Sequence, residues 1–157
     1  MKFKIEQVAL HPVDPEAAME LLTAIGAGDW AKDHVVAEGK VFGHEGQNEA
    51  DLNFEYDLLD CKASELEVLN YTKGENWLQG RPARVSHLGM HCTAEELIEW
   101  RKFFKGREIE VAQEVKTKSH VNPHIAGKRW FNYVIFDTYS ILGVDLKFIV
   151  RYDSPNF

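Results

Sequence analysis

Two stretches decide how this chain is read: Ile5-Glu6-Gln7-Val8-Ala9-Leu10-His11 and Val85-Ser86-His87-Leu88-Gly89-Met90-His91. Both alternate as half-buried strands do, with Val8 and Leu10, and Leu88 and Met90, on one face. Gln7, Ala9 and His11, and His87, Gly89 and His91, take the other. The stretches are offset by 80 residues, and the same offset superposes Leu66-Glu67-Val68-Leu69 on Leu146-Lys147-Phe148-Ile149. One constant offset joining both ends of two segments reads as an internal repeat.

The intervening sequence supports it. Asp14-Pro15-Glu16 supplies an N-cap, a proline at the first helical position and an early acid, so a helix follows and ends at Gly26 or Gly28. Strands are expected at Val35 to Phe42, Leu52 to Leu58 and Leu66 to Tyr71, with a turn at His44 to Asn48. Thr72 to Arg84, with its glycines and proline, reads as a linker. The order then restarts: a strand to Cys92, a capping box at Thr93-Ala94-Glu95-Glu96, a helix over Glu95 to Lys105 stopped by Gly106, and strands at Ile109 to Lys118, Trp130 to Thr138 and Val144 to Arg151.

The predicted fold is therefore α+β: one domain of two tandem β-α-β-β-β modules (3–72 and 85–152, linker 73–84). The modules form a curved mixed sheet with helices outside and a shared concave pocket. By parity, Gln7, Glu67, His87 and Lys147 all turn toward that concavity.

At 157 residues, 45% hydrophobic and 27% charged, the chain has the makings of an ordinary globular domain. Its net charge of −7 and scattered basic residues argue against a nucleic-acid partner. The N-terminal MKFKIEQVALHP lacks the apolar core of a signal peptide, and no run approaches the roughly 18 apolar residues of a membrane helix. Two cysteines, Cys61 and Cys92, fit neither a disulfide framework nor a metal motif. A soluble, cytoplasmic protein with no membrane partner is expected. Cys92 precedes a helix N-terminus, which leaves a buried inert thiol and a stabilised thiolate both open.

Ile5-Glu6-Gln7-Val8-Ala9-Leu10, Val85-Ser86-His87-Leu88-Gly89-Met90 and Leu66-Glu67-Val68-Leu69 resemble the opening and closing strands of the vicinal oxygen chelate superfamily (glyoxalases, bleomycin-resistance proteins, dioxygenases). The likeness spans roughly residues 3–152. It implies a protein acting on a small oxygen-bearing metabolite or toxin, with a homodimer as a further option. Metal-dependent members take one ligand from each first strand and a glutamate from each last strand, which implies Gln7, Glu67 and His87 as ligands of a divalent Ni, Zn, Mn, Fe or Co. The fourth position is Lys147, and an ammonium repels a cation rather than ligating it.

Three arrangements follow: a three-ligand metal, a metal completed by His11, His91 or His120, or no metal, with Lys147 paired to Glu67 or to an anionic ligand as in metal-free binding members. In an enzyme of this kind Glu67 is ligand or base and Lys147 supplies positive charge to an enediolate. In a non-catalytic binder the same residues are hydrogen-bond partners.

His11 and His91 repeat the parity of the ligand positions and read either as ligand-binding groups or as strand-end histidines. The polar stretch Ser119 to Arg129 reads as a solvated connection or as a substrate-covering loop carrying His120, Asn122 and Arg129. Asn53, Glu55 and Asp57 alternate with apolar neighbours, forming a wet acidic face or, if turned inward, a lining suited to cationic or hydroxyl-rich ligands. The four tryptophans read as packing residues.

Overall fold

The computed structural model describes residues 1–26, 30–55, 65–78, 84–118 and 127–155. Eleven elements follow in order: β1 (Gln7–His11), α1 (Pro15–Ala24), β2 (Trp30–Val41), β3 (His44–Glu55), β4 (Glu65–Gly74), β5 (Arg84–His91), α2 (Ala94–Lys105), β6 (Val111–Lys118), β7 (Trp130–Phe136), α3 (Tyr139–Leu142) and β8 (Asp145–Tyr152). The eight strands close into a barrel in the order β1-β4-β3-β2-β6-β7-β8-β5. β1 runs parallel to β4 and β5 parallel to β8, while every other neighbouring pair is antiparallel.

The curved sheet expected from the sequence closes on itself as a barrel. Two seams join the parts of the sheet: β1 against β5, and β2 against β6, where Glu38–Val41 meet Gln113–Lys116. Gly39 makes the second seam possible, since a Cβ there would lie 2.0 Å from the Glu114 carbonyl oxygen. Gly39→Ala is therefore expected to cost about 1–3 kcal/mol and to speed hydrogen exchange at the β2–β6 amides while sparing those of β1–β5. Equal protection at both seams in the variant would contradict this.

Other boundaries shift for local reasons. The β2–β3 turn falls at Phe42-Gly43, with φ of 46° and 82°, rather than at His44–Asn48. Two consecutive left-handed residues match the twist of a two-residue hairpin, so the polar residues beyond it join the strand. α1 stops at Ala24, capped at its start by Asp14, whose Oδ1 accepts from the Ala17 amide at 3.0 Å. The expected linker divides: β4 continues to Gly74, and Trp77 and Leu78 enter the barrel interior. Among the described residues no helix is long and apolar enough to cross a membrane.

Alternation creates two cores. Inside the barrel, Val35, Ala50, Leu52, Leu69 and Ile135 pack with Trp77. Outside, α2 lays Leu97, Trp100 and Phe104 on Met90, Phe136 and Phe148, as the i, i+3, i+7 spacing dictates. The helix is set by the Thr93/Glu96 capping box, and each of these large side chains contributes about 2–3 kcal/mol through burial. α1 has no fully buried residue. Asn53 is buried on the outer face, its amide donating to the Val68 carbonyl at 3.2 Å, so Asn53 does not line the interior; Asp57 lies outside the described residues.

Candidate functional site

The register of the strands assembles a polar cluster on one interior wall. Gln7, Gly89 and Lys147 are successive partners across β1, β5 and β8, and Glu67, Ala9, His87 and Asp145 form the neighbouring row. The small residues Ala9 and Gly89 let longer neighbours converge across them. Gln7, Glu67, His87 and Lys147 are all buried, Glu67 and His87 completely.

Gln7 is the hub. Its Oε1 accepts from His87 Nε2 at 2.8 Å and from Lys147 Nζ at 3.1 Å, while its Nε2 donates to Glu65 Oε1. An amide oxygen only accepts, which places the His87 proton on Nε2 and leaves Nδ1 to face the Ser86 hydroxyl at 3.2 Å. Glu67 Oε2 lies 3.3 Å from His87 Nε2 and 3.6 Å from Lys147 Nζ. Neither Glu67 oxygen has a well-formed hydrogen bond among the described residues. Lys147 Nζ also sits 4.6 Å from the centroid of the Tyr133 ring.

Electrostatics divides the cluster. Burial pushes the Glu67 carboxyl up, but the Lys147 ammonium and the His87 contact outweigh it and hold the group below its ordinary value. Burial, reinforced by Lys147, lowers His87 to about 4, so it is neutral at pH 7. Burial and the adjacent Glu67 charge raise Glu65 to about 7.

That last shift sets a pH dependence. A carboxyl whose folded pKa lies above its unfolded value opposes folding once ionised, so its penalty grows from about pH 4.5 to pH 7 and then levels off. Glu65→Gln is expected to stabilise the protein by about 2–3 kcal/mol at pH 8 and to change little at pH 4.5, read from denaturant midpoints. A gain independent of pH would sink this assignment.

Around the cluster is a small cavity of ≈ 30 Å³, walled by Glu67, Tyr71, His87, Gln113, Lys147 and Trp77 among others. It has room for one or two waters. Tyr71 accepts from Gln113 Nε2 at 2.9 Å, and Asn48 donates to Gln113 Oε1 at 3.3 Å, which carries the polar lining toward β3.

The structure is similar to that of a methylmalonyl-CoA epimerase, at 14% identity and a TM-score of 0.44 over 93% of both chains. A likeness at that level carries neither a family nor an activity. No protein-family model matches the chain, and no curated protein does.

Of the residues singled out in the sequence, Gln7, Glu67, His87 and Lys147 come together, and His11, His91 and Arg129 lie elsewhere. His91 is exposed, with Nδ1 3.1 Å from Glu6 Oε2. His11 is half-buried at the end of β1, opposite Arg84. Arg129 pairs with Asp153. His120 and Asn122 lie outside the described residues, as does Cys61. Cys92 is half-buried, and burial with the carboxylates of Glu96 and Glu6 pushes its thiol up to about 11, which disfavours the thiolate at neutral pH.

The sequence reading did not single out Asn48, Glu65, Tyr71, Gln113 or Tyr133 as site residues, and it read Trp77 as packing. Glu65 and Tyr71 share the parity of Glu67 on β4, and that signal was available.

A divalent metal does not suit this donor set. The Lys147 ammonium stands within 3.1 Å of Gln7 Oε1 and 3.6 Å of Glu67 Oε2, on the donors that an ion would need. A doubly charged ion there would face an adjacent positive charge in a desolvated interior. Among the described residues, no group of three or more His, Cys, Asp or Glu side chains gathers as metal ligands.

Proposed function

We propose that this chain is a vicinal-oxygen-chelate-like protein of two tandem modules that binds a small oxygen-bearing molecule in its barrel without a divalent metal. The observation that carries this reading is the place of Lys147 Nζ among Gln7, Glu67 and His87. The repeated pairing, β1 parallel to β4 and β5 parallel to β8, supports the tandem arrangement.

A ligand with neighbouring oxygens fits the charge pattern. A ligand oxygen accepts a hydrogen bond from the Lys147 ammonium, and a ligand hydroxyl donates to Glu67, whose oxygens lack well-formed donors among the described residues. Binding alone requires no more than this.

Titration calorimetry of chelator-free native protein with Ni, Zn, Mn, Fe and Co salts tests the metal-free reading. No stoichiometric uptake is expected. One bound equivalent that disappears in Glu67→Gln would overturn it.

A further inference from the structure

The cavity beside Glu67 is lined by two arcs of the barrel that differ in chemistry. β2 and β3 are paired neighbours, and they contribute Val35, Ala37, Ala50 and Leu52, with Val115 added from β6. β4, β7 and β8 bring Glu67, Tyr71, Tyr133 and Lys147. Alternation sets this up, since Glu67, Leu69 and Tyr71 take the same face of β4.

Unused hydrogen-bonding capacity faces this space. Glu67 is fully buried, and neither of its oxygens has a well-formed partner among the described residues. Tyr71 has a proton to give, as a chain of amides shows. Asn48 Nδ2 donates to the Glu75 carbonyl at 2.9 Å, which fixes the Asn48 amide, because a carbonyl only accepts. The same nitrogen donates to Gln113 Oε1 at 3.3 Å, so Gln113 presents Nε2 to the Tyr71 oxygen at 2.9 Å. The phenol therefore accepts from Gln113, and its own proton has no acceptor among the described residues. A buried carboxylate that lacks donors and a phenol that lacks an acceptor wall one cavity without bonding each other. Together they suit a group that donates and accepts at once.

We infer that the cavity is a binding site for a small uncharged aliphatic alcohol, whose hydroxyl accepts from Tyr71 and donates to Glu67 while its alkyl end lies on Val35, Ala50 and Leu52. A hydroxyl is the smallest group that does both. Water satisfies the polar arc but sets a polar molecule against the aliphatic one, whereas an alkyl group removes apolar surface from water there. Charge is disfavoured with either sign. Among the described residues of the wall Glu67 and Lys147 are charged and offset each other, while His87 is neutral, so an ionic guest lies unpaired in a desolvated interior. With room for one or two waters, the cavity of ≈ 30 Å³ admits methanol as it stands and longer alcohols as the wall yields. The inference rests on the barrel interior being the binding site, and it names the class of molecule that enters.

NMR of the native protein with labelled methyl groups tests it. Methanol and ethanol are expected to shift the methyl signals of Val35, Leu52 and Ile135 saturably, at about millimolar concentration for guests so small. Nuclear Overhauser contacts should run from the alkyl group of ethanol to the same residues. Acetonitrile, which has no donor for Glu67, and the charged methylammonium and formate are expected to bind at least roughly tenfold more weakly. Tyr71→Phe keeps the ring and removes the proton, and it should weaken ethanol by about tenfold. Val115→Ala lengthens the aliphatic arc and should move the best fit from ethanol toward propanol. Shifts that never saturate and lack Overhauser contacts, equal binding of acetonitrile, or ethanol binding unchanged in Tyr71→Phe overturns the proposal. If the alcohols fail while the metal titration shows no uptake, the guest is wrong and the metal-free reading stands; metal uptake that is lost in Glu67→Gln refutes that reading instead.

Discussion

Replacing Lys147 by glutamate is expected to turn the barrel interior into a divalent-metal site. The substitution removes the ammonium and places a carboxylate beside Gln7 Oε1, Glu67 and His87 Nε2, which already lie within about 3–4 Å of the lysine nitrogen or of one another. Two carboxylates, an imidazole and an amide oxygen suit Zn, Ni or Co. Micromolar or tighter affinity is expected, about −8 kcal/mol, against no uptake by the native chain. Without metal, the paired carboxylates repel each other and the variant is destabilised. With metal at 100 times its dissociation constant, stability rises by about 2.7 kcal/mol. Calorimetry and melting curves with and without Zn read both effects. A folded variant that binds no metal would show that the four side chains do not share a focus.

The second large effect concerns stability. Lys147→Met leaves the fully buried Glu67 carboxylate facing a neutral histidine, and breaking a buried pair in this way costs about 3–5 kcal/mol. For a chain of this size that is a fall of roughly 6–20 °C in melting temperature. Glu67→Gln should also destabilise, by leaving the ammonium without its counter-charge. The double variant is expected to recover most of the loss, with a coupling of about 2–4 kcal/mol.

The sign with pH follows from Glu67. Its folded pKa is lowered in the native protein, so the contribution of the pair is present above the unfolded value and is lost as pH falls through the folded one. The gap between native and Lys147→Met should therefore be widest near neutrality and narrow in acid. Additive single effects, or a gap that widens in acid, would mean that Lys147 and Glu67 do not sense each other.

Much of the cluster was legible because two simple periods act together. Side chains alternate along a strand, and the offset that relates Gln7 to His87 also relates Glu67 to Lys147. Parity alone sent all four inward, and α2 was readable from its capping box and from the glycine, Gly106, that stops it.

Other features left no periodic trace. Trp77 lies in a short segment without alternation, between glycines and a proline that read as a linker, and only tertiary packing turns it inward. Closure of the barrel depends on Glu38–Val41 finding Gln113–Lys116 far along the chain. The close approach permitted by Gly39 was its one local sign, and a single glycine in a strand has many explanations. Tyr133 was passed over because an aromatic residue in a strand reads first as packing.

The position of β1 between β4 and β5 also constrains the order in which the molecule comes into being. The strand cannot complete either neighbouring ladder until Glu65 and later residues have been synthesised, and Lys147 follows β5 in the chain only after α2, β6 and β7. Such distant pairings make for slow assembly. Until β8 docks, the Glu67 carboxylate lacks the Lys147 ammonium, so the wall shuts around the charge only when its counter-ion arrives with that strand.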